Sequence, residues 1–206
     1  VPEESRRHRL PTWAKYLLAV CAVVPLVVMT LVILVPLVLR AKAQKGERTA
    51  LASLKSIAAA EEAFRRQDSD SNGVLDYWTG DVAGLRGIDP GIARSDLEPL
   101  AEVSLPAAHS GNWFRALIRD GARDEAYGQD TDGSGRRVHH RDAFGFAALP
   151  EPGRYQPRVF VINESNAILF RAYEGDVLRP GTPRPTGSFA AEWPGPTTSR
   201  LWRKMP

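Results

Sequence analysis

The N-terminal quarter of the chain is dominated by an apolar run without a charge, YLLAVCAVVPLVVMTLVILVPLVL, from Tyr16 to Leu39. At about 1.5 Å per residue, such a run reaches roughly 36 Å as a helix, enough to cross a bilayer core. Pro25 and Pro36 lie inside it, and helices in lipid tolerate proline better than helices in water. The pattern then becomes amphipathic. Leu51, Leu54, Ile57 and Phe64 recur at helical spacing in a stretch rich in Ala, Glu, Lys and Arg, all good helix formers. Gly46 weakens this helix without stopping it. One helix is therefore predicted from inside the apolar run to about Gln67, its later half laying its stripe on a globular domain.

Beyond Gln67 glycine and proline become frequent. Asp81–Leu85 and Pro90–Leu100 can each form a short helical turn, and Asn112–Arg119 alternates as a strand does. Gly121–Gly135 reads as a long polar loop. The clearest sheet signal comes late, where RVFVI (Arg158–Ile162) and AILFRAY (Ala167–Tyr173) flank the turn Asn163-Glu164-Ser165-Asn166, as in a β-hairpin. The proline-rich stretch from Gly175 onward reads as coil, kept on the surface by Phe189, Trp193 and Trp202. The expected class is α+β. A short basic tail (1–15) precedes a transmembrane helix (16–39) and its amphipathic continuation (40–67). This continuation packs on a small antiparallel sheet with long loops, an extracytoplasmic head (68–174), and a C-terminal coil (175–206) wraps the head.

A cleaved signal peptide is the competing reading of the apolar run, but the run is too long and no small-x-small site follows it closely. Arg6, Arg7, Arg9 and Lys15 flank it on one side and Arg40, Lys42, Lys45 and Arg48 on the other, so charge asymmetry does not set the topology. A short N-terminal tail and a long folded remainder fit a single-pass protein of a bacterial inner membrane with its head outside the cytoplasm. The net charge of +3 conceals an imbalance. Residues 1–55 carry nine Lys/Arg against three Asp/Glu, whereas residues 56–206 carry 18 against 21. The head is slightly acidic, which points away from nucleic acid, and the basic residues beside the apolar run suit a lipid bilayer's anionic headgroups. Cys21, the sole cysteine, lies within that run and reads as a plain buried thiol, so the chain has no internal disulfide.

One loop suggests bound metal. In DSDSNGVLDYWTGD, Asp68, Asp70 and Asn72 occupy positions 1, 3 and 5 of a calcium loop, Gly73 position 6, the Val74 carbonyl position 7 and Asp76 position 9. Thr79 stands where a bidentate glutamate belongs, and Asp81, two residues on, could supply the missing carboxylate. The competing reading is a polar helix exit with its carboxylates in water. Calcium here would clip the loop and do no chemistry. Asp130–Gly135 (DTDGSG) begins similarly but places glycine too early and reads as a flexible loop. His139 and His140, adjacent on a strand, point to opposite faces and read as a solvated pair, not as joint ligands of one ion. His109-Ser110 lacks the G-x-S-x-G context of a nucleophile, and neither G-x-G-x-x-G nor a P-loop occurs. The sequence therefore does not read as an enzyme.

The helix RTALASLKSIAAAEEAFR (Arg48–Arg65), following a bilayer-length run, resembles the long first helix of type IV pilins and type II secretion pseudopilins. The blocks DSNGVLDYWTGDVAGL (Asp70–Leu85), FGFAALP (Phe144–Pro150) and VFVINESNAILF (Val159–Phe170) are similar to successive blocks of pilin-like proteins of planctomycete-type bacteria. The resemblance implies a membrane-anchored protomer with an α+β head. Its helix would pack against copies of itself or other membrane proteins through Leu31, Leu34, Leu37, Leu51, Leu54 and Ile57. Pro25 sits much as a proline does in the pilin helix. Pro11-Thr12-Trp13-Ala14, however, has neither the processing-site glycine nor the glutamate that follows it in pilins. That leaves two roles open, filament or pseudopilus protomer and accessory subunit of a larger membrane complex. A membrane-tethered module capturing a ligand or peptide is the alternative; its pocket would be lined by Trp78, Trp113 or Tyr127.

Overall fold

A computed structural model describes residues 11–88, 111–151, 158–173 and 192–205. In chain order the elements are α1 (Thr12–Gln67), β1 (Tyr77–Trp78), α2 (Val82–Ile88), β2 (Asn112–Ala116), β3 (Arg119–Asp120), β4 (Glu125–Ala126), β5 (Asp130–Thr131), β6 (Arg137–His140), β7 (Gly145–Pro150), β8 (Arg158–Asn163), β9 (Ile168–Ala172), β10 (Glu192–Trp193) and β11 (Arg203–Lys204). They fall into two compact units, Val1–Lys42 and Ala43–Pro206, and α1 contributes to both.

In the first unit α1 runs through Pro25 and Pro36 without a break. The apolar side chains described there, from Val23 to Val38, are all about half exposed or more, and the most apolar stretch has a mean hydropathy of 2.6 with no residue buried. By length and composition the helix can cross a membrane.

In the second unit the same helix becomes core. Ala50, Leu54, Ile57, Ala58 and Phe64 are buried and join Phe114, Phe146, Phe160 and Ile162 in one apolar cluster. The helix ends by backbone chemistry. Asp68 takes a left-handed conformation (φ 46°), the Ser69 N–H reaches the Phe64 carbonyl at 3.3 Å and the Asp68 N–H reaches Arg65 at 3.4 Å. These are the two reversed bonds of a Schellman cap, with a short polar residue standing where glycine is usual.

The main sheet has the order β11-β9-β8-β7-β2, antiparallel throughout. Strand alternation divides its side chains between two cores. Phe114, Phe146, Ala148, Phe160 and Ile162 face the helix cluster, whereas Trp113, Ala147, Leu149, Val159 and Val161 join Leu117, Tyr127 and Trp193 in the second. With both faces covered, β7 is buried at all six positions. The predicted hairpin is β8–β9, with Asn166 at φ 55° in its turn.

Three expectations change. The strand predicted over Asn112–Arg119 ends at Ala116, and Arg119–Asp120 joins a different sheet, β10-β3-β4. The polar loop Gly121–Gly135 holds β4 and β5, because its backbone pairs with β3 and β6. The C-terminal stretch is more than coil: β11 forms the edge of the main sheet and β10 runs parallel to β3. Pro90–Leu100 and Phe189 lie outside the described residues.

Candidate metal centre

The loop leaving α1 is folded by its own side chains. The Asp68 carboxylate accepts the Asn72 N–H at 3.1 Å and the Gly73 N–H at 3.0 Å. Gly73 adopts φ 77°, a conformation that glycine reaches without steric cost. The turn delivers the chain into β1, which pairs antiparallel with β6, setting Trp78 opposite His139 and Tyr77 opposite His140. Asp76 lies two residues before Trp78 and so on the same face as His139. Strand β5 closes the other side of β6, with Asp130 opposite His139.

This register gathers a polar cluster at the helix exit. One ligand atom each from Asp70, Asp76 and His139 lie within 4.8 Å of one another. His139 Nδ1 stands 3.5 Å from Asp76 Oδ1, and His139 Nε2 stands 3.7 Å from Asp70 Oδ2. Asp76 is 2% exposed and His139 5%. The imidazole is boxed by Trp78, edge-on at 5.4 Å between centroids, and by Phe64 at 6.1 Å. Burial pushes the Asp76 carboxyl above its ordinary value; His139 opposes the shift, Asp70 adds to it and Asn72 opposes it. A cleft of about 550 Å³ opens beside the cluster, between Asp70, Asn72 and Trp78 on one side and Asp130, Asp132 and His139 on the other.

Of the sequence-predicted calcium ligands, Asp70 and Asp76 meet here. Asn72 stands beside them, but its amide nitrogen faces the carboxylates, at 2.6 Å from Asp70 Oδ2 and 3.5 Å from Asp76 Oδ2. Its oxygen accepts the Val74 N–H at 2.6 Å. Val74 lines the cleft. Asp68 is engaged with loop N–H groups. Asp81 caps α2 by accepting the Gly84 N–H, and its other oxygen pairs with Arg136 at 3.1 Å. Gly84 is required there, since a Cβ would collide with the Trp78 indole. Asp68 and Asp81 thus do structural work outside the cluster.

The histidines do point to opposite faces, but neither is solvated. His140 is 3% exposed, its Nδ1 accepts the Asp142 and Ala143 N–H groups at 3.1 and 3.0 Å, and its Nε2 faces Glu125 at 3.6 Å. His139, which the sequence reading set aside, joins the aspartates. Only the pairing of β1 with β6, across some sixty residues, could have revealed it. Asp132 organises the turn between β5 and β6 by accepting bonds from Ser134 and Arg136, and the Ser134 hydroxyl holds its carboxyl well below the usual range.

A further carboxyl lies deeper. Glu61, on the buried face of α1, is fully enclosed and faces the backbone of Trp78. Burial raises it well above the ordinary glutamate value; the Trp78 backbone offsets part of the rise, and Glu62 and Asp76 add to it. Compared with known proteins, the chain matches no protein-family model and no curated protein sequence.

Proposed function

We propose that the chain is a membrane-anchored, non-catalytic structural protein of the pilin-like kind. Its N-terminal helix serves as anchor and assembly surface, and its head stands outside the cytoplasm of a bacterial cell. One observation carries this reading. A single helix leaves its first apolar stretch exposed and buries its second stretch in the core of the head. Exposed apolar surface on this scale marks contact with lipid or with other chains.

The helix packing that the resemblance suggests is narrowed by burial. Leu54 and Ile57 are fully buried against the sheet, so they belong to the head and are not free for neighbouring chains. Leu31, Leu34 and Leu37 are each about half exposed, and on this reading they carry the intermolecular contacts. The aromatic residues that would line a ligand pocket favour the structural role too. Trp113 and Tyr127 are buried in the second core; Trp78, packed against Phe64 and His139, is the one of the three that lines the cleft beside the aspartates. A cation at the helix exit, calcium by the loop sequence alone, would serve to order the loop.

The test is electron microscopy of the full chain extracted mildly from its native membrane, with mass spectrometry of what copurifies. Fibres of repeated copies support a filament protomer, and stoichiometric copurification with other membrane proteins supports an accessory subunit. A chain that a carbonate wash releases from membranes, alone and monomeric, overturns the proposal.

A further inference from the structure

We infer that Asp70, Asp76 and His139 form a binding site for a divalent transition-metal ion of the zinc type, fastening the helix-exit loop to the β5–β6 hairpin. This deepens the reading of the head as a cation-ordered scaffold but does not depend on the membrane assignment.

Three atoms, one on each residue, carry the inference. Asp70 Oδ1, Asp76 Oδ1 and His139 Nδ1 are all buried and all lack a hydrogen-bond partner. Unpartnered buried polar atoms are costly, and since one ligand atom from each of these residues lies within 4.8 Å of the others, a single cation among them would relieve that cost. His139 Nδ1 and Asp76 Oδ1 face each other at 3.5 Å. Two ligands about 2.1 Å from one zinc ion, at a tetrahedral angle, stand about 3.4 Å apart. The remaining polar atoms are already in supporting roles. Asn72 holds Asp70 and Asp76 together through its amide nitrogen.

The donor set selects the ion. Calcium takes an oxygen cage of six to eight ligands, and here Asn72 offers nitrogen, Asp68 and Asp81 are engaged elsewhere, and one of the three free donors is imidazole. One imidazole and two carboxylates suit zinc and its first-row neighbours, with the fourth position open to the cleft for water. His140 is a useful contrast, since its Nδ1 accepts two backbone N–H groups and is not available.

The experiment uses the full chain in mild detergent, stripped with chelator and titrated with Zn²⁺ or Ca²⁺. Bound metal is counted by mass spectrometry, thermal unfolding is followed, and Co²⁺ substitution is read by its visible ligand-field bands. The expected result is one zinc ion per chain, a zinc-dependent rise in Tm and cobalt bands of a four-coordinate site. His139→Asn should weaken zinc at least about 100-fold, beyond the loss typical of removing a supporting group. Asp124→Asn, on the β3–β4 turn and outside the cluster, should bind as the parent does. Because Asp76→Asn could unfold the loop, the His139 variant and the cobalt spectrum of the parent carry the decision. A Tm response to calcium and none to zinc overturns the inference in favour of an oxygen cage. Zinc binding indifferent to His139, or no binding of either ion, overturns it in favour of a metal-free arrangement of imidazole and carboxylates.

Discussion

Replacing Glu61 with methionine should stabilise the protein, and increasingly so as the pH rises. The side chain lies on the core face of α1, fully buried, with the Trp78 backbone facing its carboxyl. Methionine keeps an unbranched stem that adapts to irregular space, and removes only the polar end. An unsatisfied buried polar group costs about 1–3 kcal/mol, and because methionine also leaves the Trp78 backbone without the carboxyl, a gain at the low end, about 1 kcal/mol, is expected near neutrality. For a chain of this size it corresponds to a rise in Tm of roughly 2–4 °C.

The pH dependence follows from the direction of the shift. Burial raises Glu61 well above its ordinary value of 4.5, with Glu62 and Asp76 adding to the rise. Below 4.5 the folded and unfolded chains both hold the proton, and Glu61 contributes no slope. Above it the unfolded chain releases the proton while the folded chain keeps it, so stability falls as pH rises until the raised folded value is passed. The assay is thermal and urea unfolding of the full chain in detergent, with chelator present, from pH 4 to pH 8. The methionine variant should lose the part of the slope that begins near 4.5. A variant less stable than the parent at every pH, with the parental slope intact, would show that the carboxylate is ionised and partnered, and would refute the reasoning.

Three further outcomes are expected. Asp81→Ala removes the cap of α2 and one of the two carboxylates that pair with Arg136, and should cost about 0.5–2 kcal/mol in urea unfolding while leaving zinc affinity unchanged. Tyr127→Phe removes a buried hydroxyl that has no partner and whose proton burial holds on far above the usual tyrosine range; its stability should equal the parent's or exceed it by up to about 1 kcal/mol. Phe160→Ala, in the centre of the helix-facing core, should cost about 3–5 kcal/mol by the same assay.

The features legible in the sequence were those carried by local pattern. The long helix and the β8–β9 hairpin follow from apolar periodicity and turn residues within single stretches, and the helix end at Gln67 is where the structure ends it. Pairings between distant short strands were not legible. Strand β1 has two residues, too few to show alternation, yet its register with β6 decides that His139 meets Asp76. The same holds for β11, hidden in a proline-rich stretch and defined only by the free edge of β9. The calcium-loop spacing named Asp70 and Asp76, which the structure brings together, but not His139 beside them. Spacing cannot say that Asp68 folds its own turn or that Asn72 presents nitrogen. The neighbouring histidines were correctly separated by alternation, which left open that one of them faces the aspartates.

The proposed function is tested most directly by placing a photo-crosslinking amino acid at Leu34, on the exposed part of α1, and irradiating cells in which the chain sits in its own membrane. The account predicts discrete crosslinked bands containing either a second copy of this chain or another membrane protein, and no such bands from a crosslinker at the buried Leu54. Reaction of Leu34 with lipid alone, or a chain recovered in the soluble fraction, would contradict it.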